Sequence, residues 1–213
     1  MPASRGEAEA ITAGLTPEQF LKALDFDANR DLVTSGRLKD FRILHIASHT
    51  VYQTQTPELT AIVLSRFDAR GRPRDGWLRI ADVRALQFRA DLVVLSSCNS
   101  AFGRNIRGEG RMGLPQAFLS AGAASVVMTA WDVGDQSTAE LMRTFYRNLL
   151  QRGMTPSQGL REAQLAMWRQ PLRNSPWNWA GFMAQGEWRI DPFSLNKISR
   201  GVSSQDGDPR RRR

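Results

Sequence analysis

Runs of apolar residues alternate along this 213-residue chain with stretches whose apolar positions have helical spacing. Runs rich in Val, Ile and Leu between turn-forming residues are typical of buried strands, whereas apolar residues at every third or fourth position indicate helices. We predict strands at 42–47, 61–66, 92–96, 125–131 and 177–188, the last with a turn at Gly186. We predict helices at 16–24, 29–36, 80–86, 114–121, 137–151 and from Thr155-Pro156 onward. Four glycines without apolar periodicity predict a loop at 103–113.

This alternation of strands and helices predicts an α/β fold around a largely parallel sheet. In such sheets, ligands bind in the crevice beyond the carboxyl ends of the strands. His49 follows the predicted strand 42–47, and Cys98 follows the predicted strand 92–96. Both side chains would face the same crevice if their two strands are neighbours in the sheet.

The chemistry of these two side chains matches their placement. Cys98 is the only cysteine and His49 is one of two histidines, and a thiol beside an imidazole is a nucleophile with its base. Cys98 follows His49 by 49 residues, close to the spacing of about 50 found in caspases. Taken alone, a single cysteine is more often a small buried hydrophobic residue. The second histidine, His45, lies deeper in the same strand, and we interpret it as a packed core residue.

Composition and charge narrow the function classes. No segment resembles a signal peptide or a membrane span, and a single cysteine excludes an internal disulfide, so we predict a cytoplasmic protein. The net charge of +8 includes four arginines at 210–213, and the remaining arginines are scattered. Nucleic-acid binding and membrane association are therefore not expected, and neither a metal nor a cofactor is predicted.

Several segments resemble the CHAT domain of caspase-type peptidases, in the order of that family. They are His45-Ile46-Ala47-Ser48-His49, Leu95-Ser96-Ser97-Cys98-Asn99-Ser100-Ala101, Gly108-Glu109-Gly110, 117–127, Trp131-Asp132-Val133-Gly134-Asp135, 141–146 and 179–182. The resemblance implies a caspase-like three-layer sandwich with a Cys–His dyad that cuts peptide bonds, often beside tetratricopeptide repeats and in bacterial defence or signalling systems. It implies a CHAT domain at 1–188 that begins after the family's N-terminal strand, followed by a disordered basic tail at 189–213.

The resemblance also assigns roles to individual residues. Cys98 takes the position of the nucleophile and His49 that of the base, and the backbone N–H groups of Cys98 and Thr50 would bind the oxyanion. Thr50 stands where the family usually has glycine. Gly108, Glu109 and Gly110 would shape the loop beside the nucleophile.

Substrate recognition is expected from the segment after strand 125–131. Trp131, Asp132 and Asp135 would reach the crevice. Their segment, 131–135, resembles the separase segment that meets a basic residue, which implies that a carboxylate there favours arginine or lysine before the cut bond. The alternative for Asp135 is a helix N-cap. Trp177 and Trp179 are interpreted as core residues.

The expected partners are a protein or peptide substrate and an activating or repeat-containing protein. The alternative function is a catalytically silent caspase-like module that binds other proteins.

Overall fold

The computed structural model describes residues 4–53, 55–96, 103–106 and 110–189. The helices are α1 (Ser4–Thr12), α2 (Arg30–Thr34), α3 (Ile80–Arg84), α4 (Leu114–Ser120), α5 (Asp135–Leu150) and α6 (Pro156–Trp168). The strands are β1 (Ile43–Ile46), β2 (His49–Val51), β3 (Ala61–Val63), β4 (Trp77–Arg79), β5 (Leu92–Leu95), β6 (Gly103–Ile106), β7 (Gly110–Gly113), β8 (Ser125–Thr129) and β9 (Phe182–Gly186).

The fold is organised around a four-stranded sheet in the order β1-β5-β8-β9. β1, β5 and β8 run parallel, and β9 pairs antiparallel with β8. The predicted α/β class with a mostly parallel central sheet is therefore confirmed. Because three strands run in one direction, their carboxyl ends meet at a single edge, where β9 also begins, with Phe182 opposite Thr129.

Helices cover both faces of this sheet and give the molecule three layers. Val93 and Leu95 of β5 belong to the core that includes residues of α3 and α4. Leu92 and Val94 belong to the opposite core, with residues of α5 and α6. All four side chains are fully buried, as expected for a strand whose alternate residues face two helical layers.

Two smaller sheets were not expected from the sequence. β2, β3 and β4 form an antiparallel sheet that begins at His49, three residues after β1 ends. The loop prediction for 103–113 is wrong, since β6 and β7 pair there as an antiparallel hairpin. Main-chain hydrogen bonds hold such a ladder without an alternating apolar face, so no periodicity indicated it.

The predicted start of a helix at Thr155-Pro156 is confirmed, because the capping motif there is followed by a helix that packs in the core. Thr155 caps α6 by accepting a hydrogen bond from the Gln158 N–H at 3.3 Å. The similar motif at Thr16 is followed only by a 3₁₀ turn, Pro17–Gln19, because Phe20 is already extended. The structure also contains α1, which the sequence analysis missed.

Candidate active site

His49 and the predicted substrate-binding segment both follow strands of the central sheet at its carboxyl edge. His49 follows β1, and Trp131, Asp132 and Asp135 follow β8. Cys98 follows the end of β5 by three residues and lies outside the described residues, as do Gly108 and Glu109. Gly110 is the first residue of β7 and pairs with Ile106, so it belongs to a strand rather than to a loop.

The register of β1 and β5 aligns the two segments that lead to His49 and Cys98. Every residue of β1 pairs with the residue 49 positions later, from Ile43 opposite Leu92 to Ile46 opposite Leu95. The Ser96 N–H donates to the Ile46 carbonyl at 3.3 Å and extends this pairing by one residue. The same offset of 49 separates His49 from Cys98 in the sequence. The described part of the ladder therefore keeps this offset as far as Ile46 and Ser96, the last described residue before Cys98.

His49 itself is solvent-exposed and opens the second sheet. It pairs with Val63 of β3, and the neighbouring Ser48 hydroxyl donates to the carbonyl of the same Val63. Thr50 lies opposite Ile62 within β2 rather than in a turn. A β-branched residue suits a strand, which explains why threonine fits where the family usually has glycine.

A cavity of about 420 Å³ extends along β1 and reaches His49. Residues of β1 line it together with apolar side chains such as Leu24, Leu32 and Phe88. Trp131, Asp132 and Asp135 lie across β5 from this cavity, because β5 separates β1 from β8 in the sheet. The candidate site thus has an apolar side next to His49 and a side with an indole and two carboxylates after β8.

The Trp131 side of the site is built from stacked aromatic rings. The rings of Trp131 and Trp177 are 5.5 Å apart at 19°, and the Trp131 Nε1–H donates to the Trp177 carbonyl at 3.1 Å. Trp177 is 62% exposed, so its interpretation as a core residue is wrong. Trp177 lies in the 3₁₀ turn Pro176–Asn178 at the sheet edge, where its ring stacks on Trp131 and remains largely exposed. Trp179, by contrast, packs against the core, as predicted.

The two carboxylates of this segment differ in setting. Asp132 is exposed, and Asp135 is the half-buried first residue of α5. The N-cap of α5 is Gly134, so the alternative interpretation of Asp135 as the N-cap is wrong by one position. A carboxylate in the first turn is still favourable for the helix dipole, and this structural role is compatible with an exposed binding role.

His45 lies in a polar cluster rather than in an apolar core. Its Nδ1 is 2.9 Å from the Tyr146 hydroxyl, and its Nε2 is 3.2 Å from the Ser96 hydroxyl. Glu7 Oε1 also lies 3.2 Å from Nε2, at ion-pairing distance. These partners come from α1, from the end of β5 and from α5, and no local motif in the sequence indicates their meeting. Within the described ranges, no group of three or more His, Cys, Asp and Glu side chains is placed to hold a metal ion.

The family model described as the CHAT domain matches residues 1–187. The chain belongs to the CHAT domain family. Tetratricopeptide repeat protein 28 of Mus musculus is 36% identical to it over 113 residues, which are 53% of this chain and 4% of that protein. The Homo sapiens protein of the same name is 36% identical over 109 residues, 51% of this chain and 4% of that protein. This CHAT domain therefore spans only a small part of the length of these relatives.

Solved structures give a looser match to the CHAT domain. Two crystal structures of the Saccharomyces cerevisiae separase–securin complex superpose with TM-scores of 0.43 and 0.41 at 18% and 16% sequence identity. Each match covers 52% of this chain and 7% of the solved chain. A superposition of this quality decides neither the fold nor the activity of the domain.

Proposed function

We propose that this CHAT domain is a cysteine peptidase with Cys98 as the nucleophile and His49 as the base. The observation that carries the proposal is the β1–β5 register, whose offset of 49 residues equals the spacing of the two residues. Membership of the CHAT family supports the same assignment. The exposure of His49 supports it as well, because a base must reach both the thiol and the substrate.

The reaction follows from these two groups. His49 removes the proton of the Cys98 thiol, and the thiolate sulfur attacks the carbonyl carbon of the peptide bond. The tetrahedral intermediate collapses to a thioester, and the imidazolium of His49 gives its proton to the leaving amine. Water, deprotonated by His49, then attacks the thioester, which releases the acid and restores the thiol. The backbone N–H groups of Cys98 and Thr50 would stabilise the oxyanion in both steps.

Substrate choice is assigned to the segment after β8. Asp132 and Asp135 would pair with an arginine or lysine before the cut bond, and Trp131 would cover its aliphatic part. Asp132 is exposed and Asp135 is half-buried at the sheet edge, so a substrate side chain can reach both carboxylates from solvent. The expected substrates are therefore proteins or peptides with a basic residue at the cleavage site.

The setting of the enzyme is also part of the proposal. The names of the two relatives suggest that the domain works with a repeat-containing protein that presents substrates or activates it. A free nucleophilic thiol fits a reducing compartment such as the cytoplasm. No helix in the described part of the chain is long and apolar enough to cross a membrane.

Cleavage of fluorogenic peptides tests this proposal. The purified full chain is assayed with arginine, lysine or leucine before the cut, alongside Cys98→Ala, His49→Ala and Asp132→Asn. We expect Cys98→Ala and His49→Ala to abolish cleavage, and Asp132→Asn to raise KM for the arginine and lysine peptides but not for the leucine peptide. Cleavage that survives in Cys98→Ala refutes the assigned nucleophile. No cleavage of any peptide by the wild type, alone or with a repeat partner, would favour the silent interaction module.

A further inference from the structure

The imidazole of His45, on the edge strand β1, contacts side chains from three other parts of the fold. Glu7 comes from α1, His45 from β1, Ser96 follows β5, and Tyr146 comes from α5. Tyr146 lies 2.9 Å from Nδ1, while Ser96 and Glu7 each lie 3.2 Å from Nε2. The imidazole thus has polar neighbours at both nitrogens, so its orientation is fixed from two sides.

This cluster is costly to bury. Glu7 is 3% exposed and Tyr146 is also 3% exposed. Among the described residues, none forms a hydrogen bond to Glu7 Oε1, which contacts His45 at ion-pairing distance but outside hydrogen-bond geometry. Burial, together with the charge of Glu7, raises the pKa of Tyr146 well above its usual value, so its hydroxyl remains a proton donor. Apolar residues of similar volume would often be at least as stable, so packing alone does not account for the cluster.

The position of the cluster suggests what it contributes. His45 lies in β1, four residues before His49 at the start of β2, and Ser96 lies two residues before Cys98. The contact from His45 to Ser96 therefore ties β1 to β5 at the last described residue before the proposed nucleophile. Tyr146 and Glu7 hold the same imidazole against the helical layer.

We propose that His45 is a positioning residue for the site: held by Tyr146 and Glu7, it fixes the end of β5 through Ser96 and so sets the approach of Cys98 to His49. This inference rests on the proposed peptidase function. His45 contacts neither the substrate nor the reacting atoms in this account. Its loss should therefore lower kcat, which depends on the geometry of the dyad, and leave KM nearly unchanged.

Two serine variants separate positioning from general destabilisation. Ser96→Ala removes the hydroxyl that His45 contacts, whereas Ser125→Ala removes an equally buried hydroxyl at the opposite end of neighbouring strand β8. Tyr146→Phe removes the other contact of the imidazole and keeps the ring. We expect Ser96→Ala and Tyr146→Phe to lower kcat about fivefold to tenfold with KM within about twofold, and Ser125→Ala to retain the wild-type kcat. Equal kcat losses in Ser96→Ala and Ser125→Ala would overturn the proposal.

A second measurement does not need peptidase activity. Cys98 is the only thiol of the chain, so the rate of its alkylation by iodoacetamide reports on that residue alone. We expect Ser96→Ala and Tyr146→Phe to change this rate at pH 7 by at least about threefold relative to the wild type, with Ser125→Ala unchanged. If the wild type fails to cleave peptides but these rates still differ, the peptidase function falls and the link from His45 to Cys98 remains. If the rates are equal in all four proteins, the positioning role is refuted whether or not the wild type cleaves.

Discussion

Gly181 sets the position of Trp131, and adding a single methyl group there should disturb the aromatic side of the site. A Cβ at position 181 would lie 2.9 Å from Trp131 Cε2, 3.1 Å from its Nε1 and 3.1 Å from Val133 Cγ2. Carbon atoms in contact are separated by about 3.5 Å or more, so the Trp131 ring must retreat by about 0.6 Å. That movement strains the hydrogen bond from Trp131 to the Trp177 carbonyl, which is 3.1 Å long.

The expected cost of Gly181→Ala is about 1–3 kcal/mol of unfolding free energy, the range for an extra methylene in packed surroundings. For a chain of this size, each kcal/mol corresponds to a shift in Tm of about 3 °C. Thermal and urea unfolding followed by far-UV circular dichroism measure it. Gly6→Ala is the matched control, because no atom lies within 4 Å of its added Cβ and Gly6 lies inside α1, so this change should not lower stability. Equal stability of the two variants would refute the argument that Gly181 positions Trp131.

Three further predictions concern electrostatics and helix ends. Arg30 and Asp82 form a partly buried pair at 2.7 Å, and although burial acts to raise the pKa of Asp82, the hydrogen bond from Arg30 holds it below its usual value. The pair therefore stabilises the fold above about pH 4 and loses this effect as Asp82 is protonated at lower pH. In urea unfolding, Asp82→Asn should cost about 1–2 kcal/mol of unfolding free energy at pH 7 and little at pH 3. A constant difference at both pH values would contradict this. Thr155→Ala should cost about 1 kcal/mol in Tm measurements, because Thr155 caps α6, while Thr155→Ser should cost much less. Gly6→Ala should raise stability by about 0.5–1 kcal/mol, since Gly6 lies inside α1 with open space at its Cβ, and a lower Tm would contradict the helix there.

The parts of the fold with strong local signals were predicted well. Leu92–Leu95 and Ser125–Thr129 are runs of apolar and small residues between turn formers, and both are central strands. The capping motif at Thr155 marked the start of α6 because a packed helix follows it. The same motif at Thr16 failed because the residues beyond it extend instead of packing as a helix, and a capping motif alone cannot hold a helix.

The sequence indicated which residues belong to the candidate site, but not which strands pair beneath it or which side chains contact one another there. The positions of His49 and Trp131 shortly after β1 and β8 follow from local pattern, whereas the equal register of β1 and β5 depends on how the strands pair. The cluster around His45 could not be predicted, because Tyr146 lies 101 residues away and no sequence period connects them. His45 was interpreted as a core residue for the same reason: the strand pattern places it inside the sheet and does not indicate its polar partners.

Covalent labelling of Cys98 tests the central claim most directly. The purified chain is treated with an acyloxymethyl-ketone peptide that carries arginine next to the reactive group, and the labelled residue is identified by mass spectrometry in wild type, Cys98→Ala and His49→Ala. We expect one adduct on Cys98 in the wild type and none in either variant. An adduct that forms equally in His49→Ala would contradict the dyad, and no adduct in the wild type, with or without a repeat-containing partner, would contradict the peptidase itself.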